Sequence, residues 1–135
     1  MAKNYIADSS VLVALLSAGD QNHAWALAQA KNLPTGWLIC EAVLTEAFFL
    51  VGGARKSALS TLLTREALVL SFDLSVQLES VLALMEKYSD LPMSLADGCL
   101  VRMSEILVDP IIITADTDFK IYRRHGRQTI PCLMP

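Results

Sequence analysis

The chain has 135 residues, 53% of them hydrophobic, and a formal net charge of −3, which predicts one domain over residues 1–135 and leaves no room for a second. It has no apolar run of about 20 residues, no segment resembling a signal peptide, and three cysteines without C-x-x-C spacing. These features predict a cytoplasmic protein without a membrane span or a zinc site.

Apolar periodicity and turn signals divide the chain into strands that alternate with helices. In chain order, strands are predicted at 4–7, 37–39, 67–71, 111–113 and 128–133. Helices are predicted at 9–16, 20–31, 41–51, 55–65, 73–88, 94–107 and 119–124. Such alternation is typical of an α/β fold with three layers, α/β/α, around a mostly parallel central sheet of about five strands.

Two aspartates lie at or shortly after the ends of predicted strands. Asp8 comes after the strand at 4–7, and Asp116 comes shortly after the continuous apolar strand at 111–113. Because the carboxyl ends of parallel strands lie at one edge of the sheet, we expect these two side chains to be neighbours.

Two further acids, Glu46 and Asp97, lie inside predicted helices and have no lysine or arginine three or four residues away. Two carboxylates about 4 Å apart repel by roughly 4 kcal/mol at an effective dielectric of 20, so four cannot share a pocket without a cation or proton uptake. Carboxylates without histidine or cysteine suit Mg²⁺ or Mn²⁺. The sequence therefore predicts a divalent-ion site.

Two of these acids also have a purely structural interpretation, whereas Glu46 is the hardest to explain in this way. Asp8 is a suitable cap for the first helix, and Asp97 completes a capping box with Ser94. The Ser9 hydroxyl is positioned to orient Asp8 and the Thr114 hydroxyl to orient Asp116, but a cap serine and a β-branched strand residue explain them equally well.

Basic residues are concentrated in one segment near the carboxyl end of the sequence. Within eight positions lie Lys120, Arg123, Arg124 and Arg127. This segment suits a polyanion that contacts several phosphates, and it equally suits a solvated helix end that Gly126 terminates.

The segments 4–10, 44–47, 93–97 and 114–124 resemble, in order and spacing, the motifs of the PIN-domain nucleases. The resemblance spans nearly the whole chain. The length and the lack of an appended domain are similar to the small VapC-type ribonuclease toxins of type II toxin–antitoxin modules. Gly98 departs from the pattern, because family members often carry alanine there. Glycine costs about 1 kcal/mol in a helix and is expected to loosen the site without abolishing it.

The resemblance implies an endoribonuclease that requires Mg²⁺, with Mn²⁺ as a substitute, and RNA as its substrate. It implies Asp8, Glu46, Asp97 and Asp116 as catalytic residues and metal ligands, with Asp118 as a further ligand or second-layer residue. Ser9, Thr114, Arg123 and Arg124 are assigned to substrate binding. A cognate antitoxin and a second copy of the chain are the implied partners. The alternative is a PIN-like domain that binds RNA or a protein without cleavage.

Overall fold

The computed structural model describes residues 2–135, and its strands form one five-stranded sheet and one small ribbon. The strands, in chain order, are β1 (Asn4–Ala7), β2 (Trp37–Ile39), β3 (Leu68–Leu70), β4 (Pro110–Ile113), β5 (Arg123–Arg124), β6 (Gln128–Thr129) and β7 (Cys132–Leu133). The main sheet has the order β3-β2-β1-β4-β7, and all four of its pairings are parallel. The predicted α/β class with a parallel sheet of five strands is confirmed.

Six helices flank this sheet. They are α1 (Ser9–Leu16), α2 (His23–Asn32), α3 (Glu41–Val51), α4 (Lys56–Thr64), α5 (Leu74–Lys87) and α6 (Leu95–Ile106). Most bounds lie within one or two residues of the predicted ones. The exception is α2, which begins three residues late because Asp20 forms a turn: its side chain accepts the N–H of Asn22, and its carbonyl accepts the N–H of His23. No helix among residues 2–135 is long and apolar enough to cross a membrane.

The centre of the sheet is fully buried. Ile6 pairs with Ile112 and Ala7 with Ile113, and all four side chains are fully buried. Burying each isoleucine contributes about 1.5–3 kcal/mol relative to leaving it exposed. Because β1 and β4 are in register, the residues that follow them, Asp8 and Thr114, leave the sheet side by side.

The end of the chain differs from its prediction. The helix predicted at 119–124 is wrong, since a short 3-10 helix covers Thr117–Lys120 and β5 follows it. β5 pairs with β6 in an antiparallel hairpin, and His125 and Gly126 in its loop have φ of 51° and 79°. Gly126 therefore supplies a hairpin loop rather than a helix stop.

The single strand predicted at 128–133 is also wrong, because it is split into β6 and β7. Pro131 lies between them and has no N–H to donate to a ladder. Its carbonyl accepts the N–H of Ile112 at 2.9 Å, so this segment still attaches to the central sheet.

Gly98 has a packing role that the sequence did not indicate. A Cβ at this position would lie 3.1 Å from Val81 Cγ1 and 3.4 Å from Met85 Cγ, both on α5. The missing side chain lets α5 and α6 approach closely. This packing role comes in addition to the expected cost of a glycine within the helix.

Candidate active site

Asp8 lies at the carboxyl end of β1, with 4% of its surface exposed. Its Oδ1 accepts the backbone N–H of Ser9 at 2.8 Å, so Asp8 caps α1. Its Oδ2 accepts the hydroxyls of Ser10 at 2.8 Å and Thr114 at 2.7 Å. The pKa of Asp8 lies above its usual 3.8, mainly because the carboxylate is buried. The charge of Asp116 also raises this pKa, whereas the three hydrogen bonds lower it without cancelling the effect of burial.

Thr114 joins the end of β4 to this carboxylate. It is fully buried, and its hydroxyl both donates to Asp8 and accepts the backbone N–H of Asp116 at 2.9 Å. The hydroxyl of Ser10 likewise accepts the backbone N–H of Ala115 at 2.9 Å. The loop that carries Asp116 is thus fixed to the first turn of α1 by two side chains.

Glu46 lies half-buried on α3, where its Oε1 accepts the hydroxyl of Ser9 at 3.0 Å. Ser9 therefore bonds Glu46 through its side chain and Asp8 through its backbone. Glu46 also lines a surface groove of about 260 Å³ together with Leu95 and Ala96 at the start of α6. α3 thus presents a third acid beside the strand ends.

Asp97 lies in the first turn of α6. Its backbone N–H donates to the Ser94 hydroxyl at 3.1 Å, which confirms Ser94 as the cap of this helix, and its Oδ2 accepts the Tyr122 hydroxyl at 3.1 Å. Burial raises the pKa of Asp97 to about 6, against the lowering effect of the Tyr122 hydrogen bond, and the charges of Asp8 and Asp116 raise it further. Asp97 is therefore close enough to both strand-end aspartates to be repelled by them.

Asp116 and Asp118 lie on the short turn after β4. The Oδ1 of Asp116 accepts the backbone N–H of Asp118 at 2.9 Å and so caps the 3-10 helix. Burial raises the pKa of the Tyr122 phenol, and the charges of Asp97, Asp118 and Asp116 raise it further. Both aspartates of this turn therefore lie close enough to Tyr122, which contacts Asp97, to raise the pKa of its phenol.

No cation balances these acids within residues 2–135. The two ion pairs of that part of the chain are Lys3–Asp109 and Arg102–Glu105, and both lie elsewhere. Lys120, four positions after Asp116, forms no ion pair with it.

Comparison with known proteins shows which family this arrangement belongs to. A family model for the PIN domain matches residues 5–124, which is most of the chain. The chain belongs to the PIN-domain family. PIN domains are generally nucleases, and those nucleases generally use divalent metal ions. No curated protein matches the chain.

The donors of this PIN domain suit such an ion by their chemistry. They are carboxylates without a lysine or arginine partner, and carboxylate oxygens are what Mg²⁺ and Mn²⁺ prefer. Their spacing is looser than a ligand shell, since residues 2–135 contain no group of three or more acidic, histidine or cysteine side chains gathered closely enough to hold a metal ion.

The two arginines assigned to substrate binding make contacts within the PIN domain itself. Arg123 donates through Nη1 to the backbone carbonyls of Lys120, Ile121 and Tyr122. Arg124 donates through Nε and Nη2 to the carbonyl of Ser104 in the last turn of α6. These guanidinium groups attach β5 to its surroundings, whereas Lys120 and Arg127 are exposed.

Ser10 and Tyr122 are part of the site and were missed by sequence reasoning. Ser10 had a signal, because it is the second serine after a strand-end aspartate and a hydroxyl there reaches back to the carboxylate. Tyr122 lies in the segment that resembles the family motif, but its contact with Asp97 spans 25 residues, so local spacing did not indicate its role.

Proposed function

We propose that this PIN domain is a metal-dependent endoribonuclease that hydrolyses RNA phosphodiester bonds. Asp8, Glu46, Asp97 and Asp116 act as catalytic residues and ligands of Mg²⁺, for which Mn²⁺ substitutes, and Asp118 lies at the edge of the site. The observation that carries the proposal is the gathering of these acids around the ends of β1 and β4, where Ser9 links Asp8 to Glu46 and Thr114 links Asp8 to the turn of Asp116, without a lysine or arginine partner. Burial and the neighbouring acids raise the pKa of Asp8 and Asp97, in keeping with this geometry. Burying carboxylates together in this way is costly unless a cation joins them.

The residues of the chain have distinct tasks in this proposal. Thr114 and Ser10 hold Asp8 through its Oδ2, and Ser9 holds Glu46. When bound, the divalent ion would lower the pKa of the attacking water and neutralise charge on the scissile phosphate. Asp97, with a pKa of about 6, is ionised at neutral pH and is suited to holding the ion or accepting a proton.

We further propose that the chain is the toxin of a type II toxin–antitoxin module, bound by a cognate antitoxin and forming a homodimer. Support comes from exposed apolar surface, since Phe49 is 84% exposed and Leu50 is 57% exposed on α3. An apolar cavity of about 180 Å³, whose lining includes Leu15, Trp37 and Leu62, offers a second place for a partner. Large exposed apolar side chains that are grouped together mark interaction sites.

The test is cleavage of total cellular RNA by the purified chain with Mn²⁺ or with EDTA, followed by sequencing of the new ends. We expect metal-dependent cuts with 5′-phosphate ends that disappear in Asp116→Asn. The matched control is Asp90→Asn, an exposed aspartate outside the site, which should cut as the wild type does.

Metal-independent cuts with cyclic phosphate ends would refute the acidic mechanism. RNA bound by the wild type and left intact with Mn²⁺ would favour the alternative function, a domain that binds RNA or a protein without cleavage.

A further inference from the structure

Tyr122 makes a contact that no part of the proposed chemistry yet uses. The residue is fully buried, and its hydroxyl donates to Asp97 Oδ2 at 3.1 Å. Tyrosine hydroxyls that are buried need a partner, and here the partner is a carboxylate of the proposed site. Because one of the two carboxylate oxygens is held, rotation of the carboxyl group is restricted.

The tyrosine ring is itself held on two sides by other aromatic rings. Tyr88 meets it edge-on with ring centres 5.1 Å apart, and Phe119 does so at 5.3 Å. Phe119 belongs to the 3-10 helix that Asp116 caps, so the ring also connects Asp97 to the turn that carries Asp116 and Asp118. Such a ring cannot turn away from Asp97 without disturbing its neighbours.

The chain that follows the tyrosine is fixed as well. The N–H of Arg123 donates to the Tyr88 hydroxyl at 2.9 Å, and Arg124 donates to the carbonyl of Ser104 on α6. The N–H of His125 donates to Glu105 Oε2 at 2.7 Å. The hairpin of β5 and β6 is thus attached to α5 and α6, which places Tyr122 at a set position relative to Asp97.

We propose that Tyr122 is a positioning residue that orients the Asp97 carboxylate for the divalent ion. This inference rests on the proposed function. Groups that hydrogen-bond a metal ligand orient it, and losing one typically weakens metal affinity 10- to 100-fold. Tyr122 does not touch substrate, and its effect passes through Asp97.

The test is Mn²⁺ affinity of the purified chain by titration calorimetry, which needs no RNA. Tyr122→Phe removes the hydroxyl and keeps the ring, and we expect affinity to fall about 10-fold or more. The matched control is Tyr5→Phe, which removes the hydroxyl of a partly buried tyrosine on β1 that bonds none of the site acids; its Mn²⁺ affinity should equal that of the wild type. Urea unfolding of both variants separates loss of stability from loss of affinity.

A second comparison shows whether the effect passes through Asp97. Adding Tyr122→Phe to Asp97→Asn should cause no further loss of Mn²⁺ affinity, because the two changes remove one shared interaction. Wild-type affinity in Tyr122→Phe, or additive losses in the double variant, would overturn the inference while leaving the proposed function intact. Failure of the wild type to bind Mn²⁺ would overturn both.

Discussion

Replacing Thr114 with valine removes one hydroxyl from a fully buried position and preserves the shape of the side chain. The hydroxyl donates to Asp8 Oδ2 at 2.7 Å and accepts the N–H of Asp116 at 2.9 Å. A hydrogen bond to a charged group contributes about 1.5–3 kcal/mol, and an N–H left without an acceptor costs about 1–3 kcal/mol. Allowing about 1 kcal/mol for the added apolar methyl group, we expect a loss of about 1.5–5 kcal/mol in unfolding free energy.

The assay is thermal and urea unfolding of Thr114→Val in EDTA at neutral pH. For a chain of this size about 3 °C of Tm corresponds to 1 kcal/mol, so Tm should fall by about 5–15 °C. Thr61→Val is the matched control, because the Thr61 hydroxyl bonds the Ser57 carbonyl on the exposed surface of α4, and its loss should stay within about 0.5 kcal/mol.

The loss in Thr114→Val should also depend on pH. The Thr114 hydrogen bond lowers the pKa of Asp8, so its removal raises that pKa further and makes the folded state bind its proton more tightly. Destabilisation should then be greatest at neutral pH and shrink as the pH falls and Asp8 takes up a proton. Equal stability of Thr114→Val and Thr61→Val at neutral pH would refute the argument that this hydroxyl holds the site together.

Three further results are expected. The pKa of Asp97 is raised from 3.8 to about 6, so between these values the folded chain holds a proton that the unfolded chain has lost. The unfolding free energy should therefore fall as the pH rises through this interval. Urea titrations should show a weaker pH dependence for Asp97→Asn. Glu46→Gln should keep the fold by circular dichroism and weaken Mn²⁺ binding at least tenfold, and unchanged affinity would remove Glu46 from the site. Light scattering at micromolar concentration should show a dimer that Phe49→Ser weakens, and a wild-type monomer would contradict the proposed interface.

The sheet could be predicted because its strands have local signals. The run at 111–113 is apolar without interruption, as a strand buried on both faces requires, and turn residues bound the other strands. The same reasoning placed Asp8 at a strand end, and the parallel pairing of β1 with β4 puts Asp8 beside the loop that carries Asp116.

The bonds within the site could not be predicted, because they join residues far apart in sequence. The Thr114 hydroxyl bonds Asp8 across 106 positions, and the Ser9 hydroxyl bonds Glu46 across 37. Local spacing had paired Thr114 with Asp116 and Ser9 with Asp8. In the fold the Thr114 hydroxyl donates to Asp8, and the Ser9 hydroxyl donates to Glu46. The acids close in sequence are bonded through backbone N–H groups instead: that of Ser9 donates to Asp8, and that of Asp116 donates to the Thr114 hydroxyl.

The chain end was mispredicted for a similar reason. A basic run before a glycine is typical of a helix terminus, yet Arg124 and Glu105 bind this segment as a hairpin on α6. Those tertiary contacts outweigh the local preference for a helix, and they are invisible in the spacing of charges.

The capping and catalytic interpretations of the acids are compatible. Because one side chain can serve both roles, the local sequence around a single acid did not favour either interpretation. Asp8 and Asp116 each use Oδ1 to accept a backbone N–H at the start of a helical segment. That bond fixes the side-chain torsions and, with them, the direction of the second oxygen. A capping bond can therefore orient the same carboxylate for the divalent ion of the proposed function. An asparagine variant keeps the capping oxygen and removes the charge, so it separates capping from ion binding, whereas an alanine variant would abolish both.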